Sequence, residues 1–106
     1  MAFEVELTKS AKAELKAIRV FDRRRIVDEI YNQLGSEPLV ATRNRKCLDA
    51  AEPSFEHVPP IWELRVGDYR VFYDVNEEAL VVYVRAVRRK ERGQTTEDII
   101  HERNDS

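Results

Sequence analysis

Apolar and polar residues change their spacing several times along the chain, and each change marks an element. Phe3, Val5 and Leu7 alternate with Glu4 and Glu6, a period of two that predicts a short strand. Thr8 is a good N-cap for a following helix, in which Ala11, Leu15 and Ile18 recur at i, i+4 and i+7. A second helix is expected with Asp22 as its cap and Ile26, Val27, Ile30, Tyr31 and Leu34 as its apolar stripe. Gly35 is its natural stop. Arg23, Arg24 and Arg25 then fall in the first turn, where positive charge opposes the helix dipole, so solvation or contact explains them better than helix stability does.

Beyond Gly35 the period is lost. Thr42-Arg43-Asn44-Arg45-Lys46 reads as a cationic cluster. Ala50 to Pro60 holds three of the four prolines and reads as an irregular connection. Period two then returns strongly. Trp62, Leu64 and Val66 point one way and Glu63 and Arg65 the other. After Gly67-Asp68, a two-residue hairpin signal, Tyr69, Val71, Tyr73 and Val75 share one face while Arg70, Phe72 and Asp74 share its opposite. Asn76-Glu77-Glu78 turns into a further strand, Leu80 to Val87, whose apolar density predicts burial on both faces except at Arg85. Glu97 to His101 can close the chain as a short helix capped by Thr95 or Thr96. The order is strand, two helices, three antiparallel strands. It predicts an α+β fold, with a helical hairpin packed on one face of a small antiparallel β-sheet. The other face carries the arginines, and Arg70 is expected to emerge there into an open hollow.

The totals add bounds. At 106 residues one domain spanning 1–106 is expected. The longest apolar run, Ala79 to Val84, is far too short to cross a bilayer, and a single cysteine, Cys47, permits no intramolecular disulfide; both fit a cytoplasmic protein without a membrane partner. A net charge of −2 argues against a generic nucleic-acid binder. Yet charge is segregated: Arg43, Arg45 and Lys46 form one cluster, and Arg85, Arg88, Arg89, Lys90 and Arg92 a second. Cys47, His57 and His101 have no metal-ligand spacing, so neither metal nor other cofactor is expected.

The candidate chemistry is anion recognition. Arg70 sits in mid-strand on a rigid sheet, where a planar, forked donor suits phosphate or carboxylate; a salt bridge to Glu63 or Asp74 is the bland alternative. Arg65 divides evenly between function and cross-strand pairing. Arg43, Arg45 and Lys46 are weighed as phosphate contacts against a solvated loop. Arg85, Arg89 and Lys90 are weighed as RNA or protein contacts, with solvated charge the expectation for Arg88 or Arg89. Glu63 is the better ion-pair partner than base, and Phe72 is a packed aromatic before it is a stacking platform for a base.

The layout, with Trp62-Glu63-Leu64-Arg65 and Tyr69-Arg70-Val71-Phe72-Tyr73-Asp74-Val75, resembles the RelE/ParE superfamily of type II toxin–antitoxin toxins, over Phe3 to about Lys90. The Thr42-to-Lys46 stretch resembles the RelE-like branch. That resemblance implies a ribosome-dependent endoribonuclease in which the RNA 2′-hydroxyl attacks the adjacent phosphate without a metal. Arg70, Arg65 and Lys90 (or Arg89) are the implied catalytic residues, and Arg43, Arg45, Lys46, Arg85 and Arg89 the implied RNA contacts. Implied partners are a cognate antitoxin, the ribosome and mRNA, with operator DNA met only through the antitoxin. The sequence also departs from that branch. Two positions that carry lysine there read Ile61 and Glu63, and a tyrosine after the last strand has no counterpart. An inactive antitoxin-binding or co-repressing module and a ParE-like gyrase inhibitor are the alternatives.

Overall fold

The computed structural model describes residues 2–101. Strand β1 (Glu4–Leu7) leads into helices α1 (Lys9–Lys16) and α2 (Val20–Leu34). Strands β2 (Arg45–Leu48), β3 (Ile61–Val66), β4 (Tyr69–Asn76) and β5 (Val81–Arg89) follow, then the short helix α3 (Thr96–Ile100). The sheet has five strands in the order β1-β5-β4-β3-β2. β1 runs parallel to β5, and every other pair is antiparallel. The expected fold class is therefore present, with one strand more than the sequence announces.

The periodicities explain most of it. Thr8 caps α1, its Oγ1 accepting from the Ala11 N–H at 3.3 Å. Ala11 and Leu15 of α1 and Ile26, Ile30 and Leu34 of α2 pack on one sheet face, against Trp62, Leu64, Val71, Tyr73, Val82, Val84 and others. Gly67, at φ +57°, makes the β3–β4 turn. Two local readings need correction. α2 starts at Val20 with Arg19 as N-cap, and Asp22 lies inside the first turn, where its Oδ2 accepts from Arg19. A carboxylate there suits the dipole as well as a cap does. Gly35 does end α2, but in ordinary αR geometry at φ −74°. What requires glycine is crowding: a Cβ there would lie 2.7 Å from the Tyr31 carbonyl oxygen.

The far face differs more from expectation. Ile61, Phe72, Ala86, Ile99 and Ile100 form a second small core, with Leu48, Ala51 and Phe55 packed against it. The connection before β3 and helix α3 thus roof half of the face expected to be open. Phe72 is fully buried in this core and is not a platform for a base. A bulge between Phe72 and Tyr73 pairs them with Ala86 and Val84, so the intervening Arg85 has no direct partner in the ladder.

Candidate nucleic-acid interface

Strand pairing gathers the cations. Arg65 lies directly opposite Arg70 across the β3–β4 hairpin, and Arg70 opposite Arg88 on β5. The Lys90 N–H donates to the Asp68 carbonyl at 2.7 Å, holding the end of β5 beside the hairpin turn. On the other side, Thr42 and Arg45 exchange backbone hydrogen bonds in a tight turn, and the Asn44 carbonyl accepts from the Arg65 N–H at 2.7 Å. The result is a cleft of about 160 Å³ bordered by Thr42, Arg43, Asn44, Arg45, Lys46, Glu63, Arg65, Arg70, Lys90 and Thr96. That is room enough for a phosphate group.

At its floor lies Glu63, 5% exposed. Its Oε2 accepts from the Thr96 hydroxyl at 2.9 Å and its Oε1 lies 3.7 Å from Lys46 Nζ. The expected ion-pair role of Glu63 is what the geometry gives. Lys46 itself is well exposed, so the pair adds little stability and a stronger anion can compete for the ammonium. Arg70 is on the predicted face but not in an open hollow, being only 6% exposed. Its Nη1 donates to the Gly67 and Tyr69 carbonyl oxygens, both at 2.9 Å, which fixes the guanidinium against its own hairpin. Burial lowers its pKa, opposed by Glu63 and reinforced by Arg65. Lowering from so high a starting value leaves the guanidinium charged. No salt bridge ties it to Glu63 or Asp74 among the described residues.

Three expected contacts part from this cluster. Arg45 borders the cleft, but it pairs with Leu64 and so projects toward the helices. Its Nη1 donates to the Gln33 carbonyl at 3.0 Å near the end of α2, and Nη2 lies 3.9 Å from Glu37. The two-residue period of β2, hidden in a charged stretch, reverses it relative to Lys46. Arg85, freed by the bulge, is clamped by Asp74 through Nε–Oδ2 at 2.7 Å and Nη2–Oδ1 at 3.1 Å. It does not border the cleft. Arg89 faces a wedge on the helix side with Arg25 and Asp68. Of Arg88 and Arg89, one of which is expected to be solvated, Arg89 is exposed while Arg88 is buried: Nε donates to Glu14 at 3.0 Å and Nη1 to the Ile99 carbonyl at 2.8 Å. Past Val84 strand β5 has lost its β1 neighbour, and Glu14 also accepts the Val87 N–H, so it seals that edge. His57 lies outside the cleft, with Nδ1 2.8 Å from the Phe55 carbonyl oxygen.

The residues the sequence did not single out are Thr42, Asn44 and Thr96. The capping pattern at Thr95 was legible and forms a full capping box with Asp98. That it delivers Thr96 to Glu63 depends on the fold-back of residues 90–95. Chemically, Arg43, Lys46, Arg65, Arg70 and Lys90 surround a single carboxylate, an arrangement that attracts a polyanion and can hold one phosphate against a rigid fork. Among the described residues, no group of three histidine, cysteine or acidic side chains is placed to hold a metal ion, and no helix is long and apolar enough to cross a membrane.

A family model, the ParE toxin of the type II toxin–antitoxin system parDE, matches residues 5–93. The structure is similar to a chain of the toxin–antitoxin complex RelBE2 from Mycobacterium tuberculosis, with 22% identity and a TM-score of 0.67 over 85% of this chain and 100% of that one. It is similar to a chain of the archaeal RelE–RelB complex from Pyrococcus horikoshii, with 23% identity and a TM-score of 0.67 over 88% and 100%. It is similar to the isolated E. coli RelE toxin, with 19% identity and a TM-score of 0.63 over 93% and 96%. Among curated proteins, none matches the chain in sequence.

Proposed function

Because the chain belongs to the ParE toxin family of type II toxin–antitoxin systems, within the RelE/ParE superfamily, we propose that it arrests growth by cutting messenger RNA on the ribosome. The reading rests on one observation: Arg43, Lys46, Arg65, Arg70 and Lys90 converge on a cleft with room for a phosphate, with the Arg70 fork held rigid at its wall. In this chemistry the 2′-hydroxyl gives up its proton to water as its oxygen attacks the adjacent phosphorus, and the 5′-oxygen leaves and takes up a proton, giving a 2′,3′-cyclic phosphate and a 5′-hydroxyl. The protein aligns the attack and stabilises charge gathering on the phosphate oxygens. Arg70 keeps its Nε and Nη2 for those oxygens after Nη1 is spent on the turn. Arg65 and Lys90 neutralise from either side, and Lys46, exchanging Glu63 for the RNA, anchors the strand. Arg43 and Lys46 extend the contact along the backbone. The partner that restrains it is a cognate antitoxin, as in the RelBE2 and RelE–RelB complexes.

Inducing the chain alone in cells and mapping transcript 5′ ends tests the proposal. Codon-phased cuts that disappear in Arg70→Ala are expected. A second reading, inhibition of DNA gyrase, is favoured by the parDE description of the matching family model. Intact transcripts together with loss of supercoiling by purified gyrase would establish it in place of RNA cleavage. Normal growth with intact transcripts would instead identify an inert antitoxin-binding module.

A further inference from the structure

The outer face of α2 leaves large apolar side chains in solvent, away from the cleft. Phe21 is 80% exposed and Tyr31 50%, beside Val20 at 59%. These are large apolar side chains left on α2, the longest helix among the described residues. Their spacing is informative. Phe21, Arg24, Asp28 and Tyr31 follow one another at three, four and three residues, the seam of a two-stranded coiled coil. On a helix this spacing draws a single stripe, opposite the Ile26, Ile30 and Leu34 stripe that faces the sheet.

The stripe is self-complementary. Two copies of α2 laid antiparallel about a two-fold axis that crosses the exposed face at the height of Ile26 put Phe21 of each across from Tyr31 of the other, and Arg24 across from Asp28. Val20 then meets Asn32. The interface holds two aromatic contacts flanking two ion pairs, and the helix dipoles oppose. Arg24 and Asp28 are free to serve. Neither has an ion-pair or hydrogen-bond partner among the described residues, although they stand four apart on one helix. The neighbouring charges are spent locally: Asp22 accepts from Arg19, and Glu29 accepts from Gln33. A parallel pairing would set Arg24 against Arg24 and Asp28 against Asp28, which selects the antiparallel arrangement.

We infer that α2 is a homodimerisation surface and that its occupant is the α2 of a second copy. The dimer is isologous and leaves the cationic cleft, on the other side of the sheet, unobstructed. A single helix pair is a small interface, so the dimer forms and dissociates with concentration.

Sedimentation velocity on the purified chain up to about 100 µM, with single and mixed charge reversals, tests this. Wild type is expected to pass from monomer to dimer across that range. Arg24→Asp alone and Asp28→Arg alone each set like charges in register and shift dissociation at least tenfold toward monomer. Mixed one to one, the two variants re-form a dimer, since the aspartate introduced in one chain then faces the arginine introduced in the other. Phe21→Ala weakens association without restoring it on mixing. All three positions are on the helix surface, so unchanged circular dichroism and melting confirm that the variants fold. A wild-type chain that stays monomeric throughout, or a dimer indifferent to both reversals, overturns the inference. So does a failure of the two reversed chains to pair.

Discussion

Asp74→Asn isolates a buried, two-bonded ion pair. Asp74 is 2% exposed and accepts three hydrogen bonds: two from Arg85, at 2.7 and 3.1 Å, and one from the Val58 N–H at 2.9 Å. The amide keeps the volume and one carbonyl acceptor. It removes the charge and points N–H groups at a guanidinium that can only donate. Breaking a buried ion pair from one side costs about 3–5 kcal/mol. Two features move this chain to the low end. Arg85 is 13% exposed, and Glu56, 96% exposed and 3.8 Å away, is free to take over part of the pairing. About 3 kcal/mol is therefore expected. A melting entropy near 2.1 cal/mol/K per residue makes each kcal/mol worth about 4–5 °C for a chain of this length, so the midpoint falls by roughly 13 °C. Thermal circular dichroism reads it directly. Replacing Arg85 with Met in the Asp74→Asn background recovers a good part of the loss, because no lone cation then remains under the Phe55–Val58 connection. A fall of less than about 4 °C, or a double variant worse than the single, would show that the pair does not carry this corner of the sheet.

Other expectations are narrower. Tyr73→Phe strands the Pro38 carbonyl, which accepts the Tyr73 hydroxyl at 2.6 Å, and costs about 1–2 kcal/mol in urea denaturation; an unchanged midpoint would deny the bond any weight. Burial also raises the Tyr73 pKa well above the ordinary tyrosine value, so alkaline titration of phenolate absorbance shows one of the four tyrosines lagging. Cys47 is pushed up to about 11 by burial and by its hydrogen bond to Asp49. As a raised thiol pKa favours the neutral form, alkylation at pH 8 runs about a hundredfold slower than for a thiol at the ordinary value. The thiol's share of folded stability is present below pH 9.0 and lost as pH rises toward 11. Gly35→Ala forces the contact with the Tyr31 carbonyl to open and costs about 1–3 kcal/mol, measured as a lower melting point. If the cleft holds RNA, Lys46→Ala lowers the slope of log affinity against log salt by about 0.7; an unaltered slope would place the backbone elsewhere.

Where the sequence was readable, two periods did the reading. The alternation through Trp62–Val75, the stripe of α2 and the Thr8 and Thr95 caps were local signals, and local signals decide element type. What escaped was settled at a distance. Strand β2 has four residues, two of them cationic, so nothing in Arg45-Lys46-Cys47-Leu48 separates an edge strand from a solvated loop. Only pairing with β3 sends Arg45 toward α2 and Lys46 toward the cleft. Arg85 stood out as the one polar position of its strand, but its partner came from the bulge that turned it onto Asp74. Arg70 lay on the face the pleat assigned, but its burial comes from its own turn and from the segments that roof the far face. Phe72 shared the face of Arg70 and became core because Ile99 and Ile100 return to cover it.

The parallel seat of β1 beside β5 has a consequence for how the molecule is born. The Thr8 hydroxyl donates to Val84, 76 residues later, so the leading segment has no neighbour until the chain between them has been made. The hairpin of β3 and β4 is assembled from adjacent residues and needs no such delay. A nascent polypeptide therefore exposes the inner faces of α1 and α2 until the last strand clears the exit tunnel. Lys90 and Thr96, which complete the cationic cleft, emerge later still, so an unfinished chain carries an unfinished cleft.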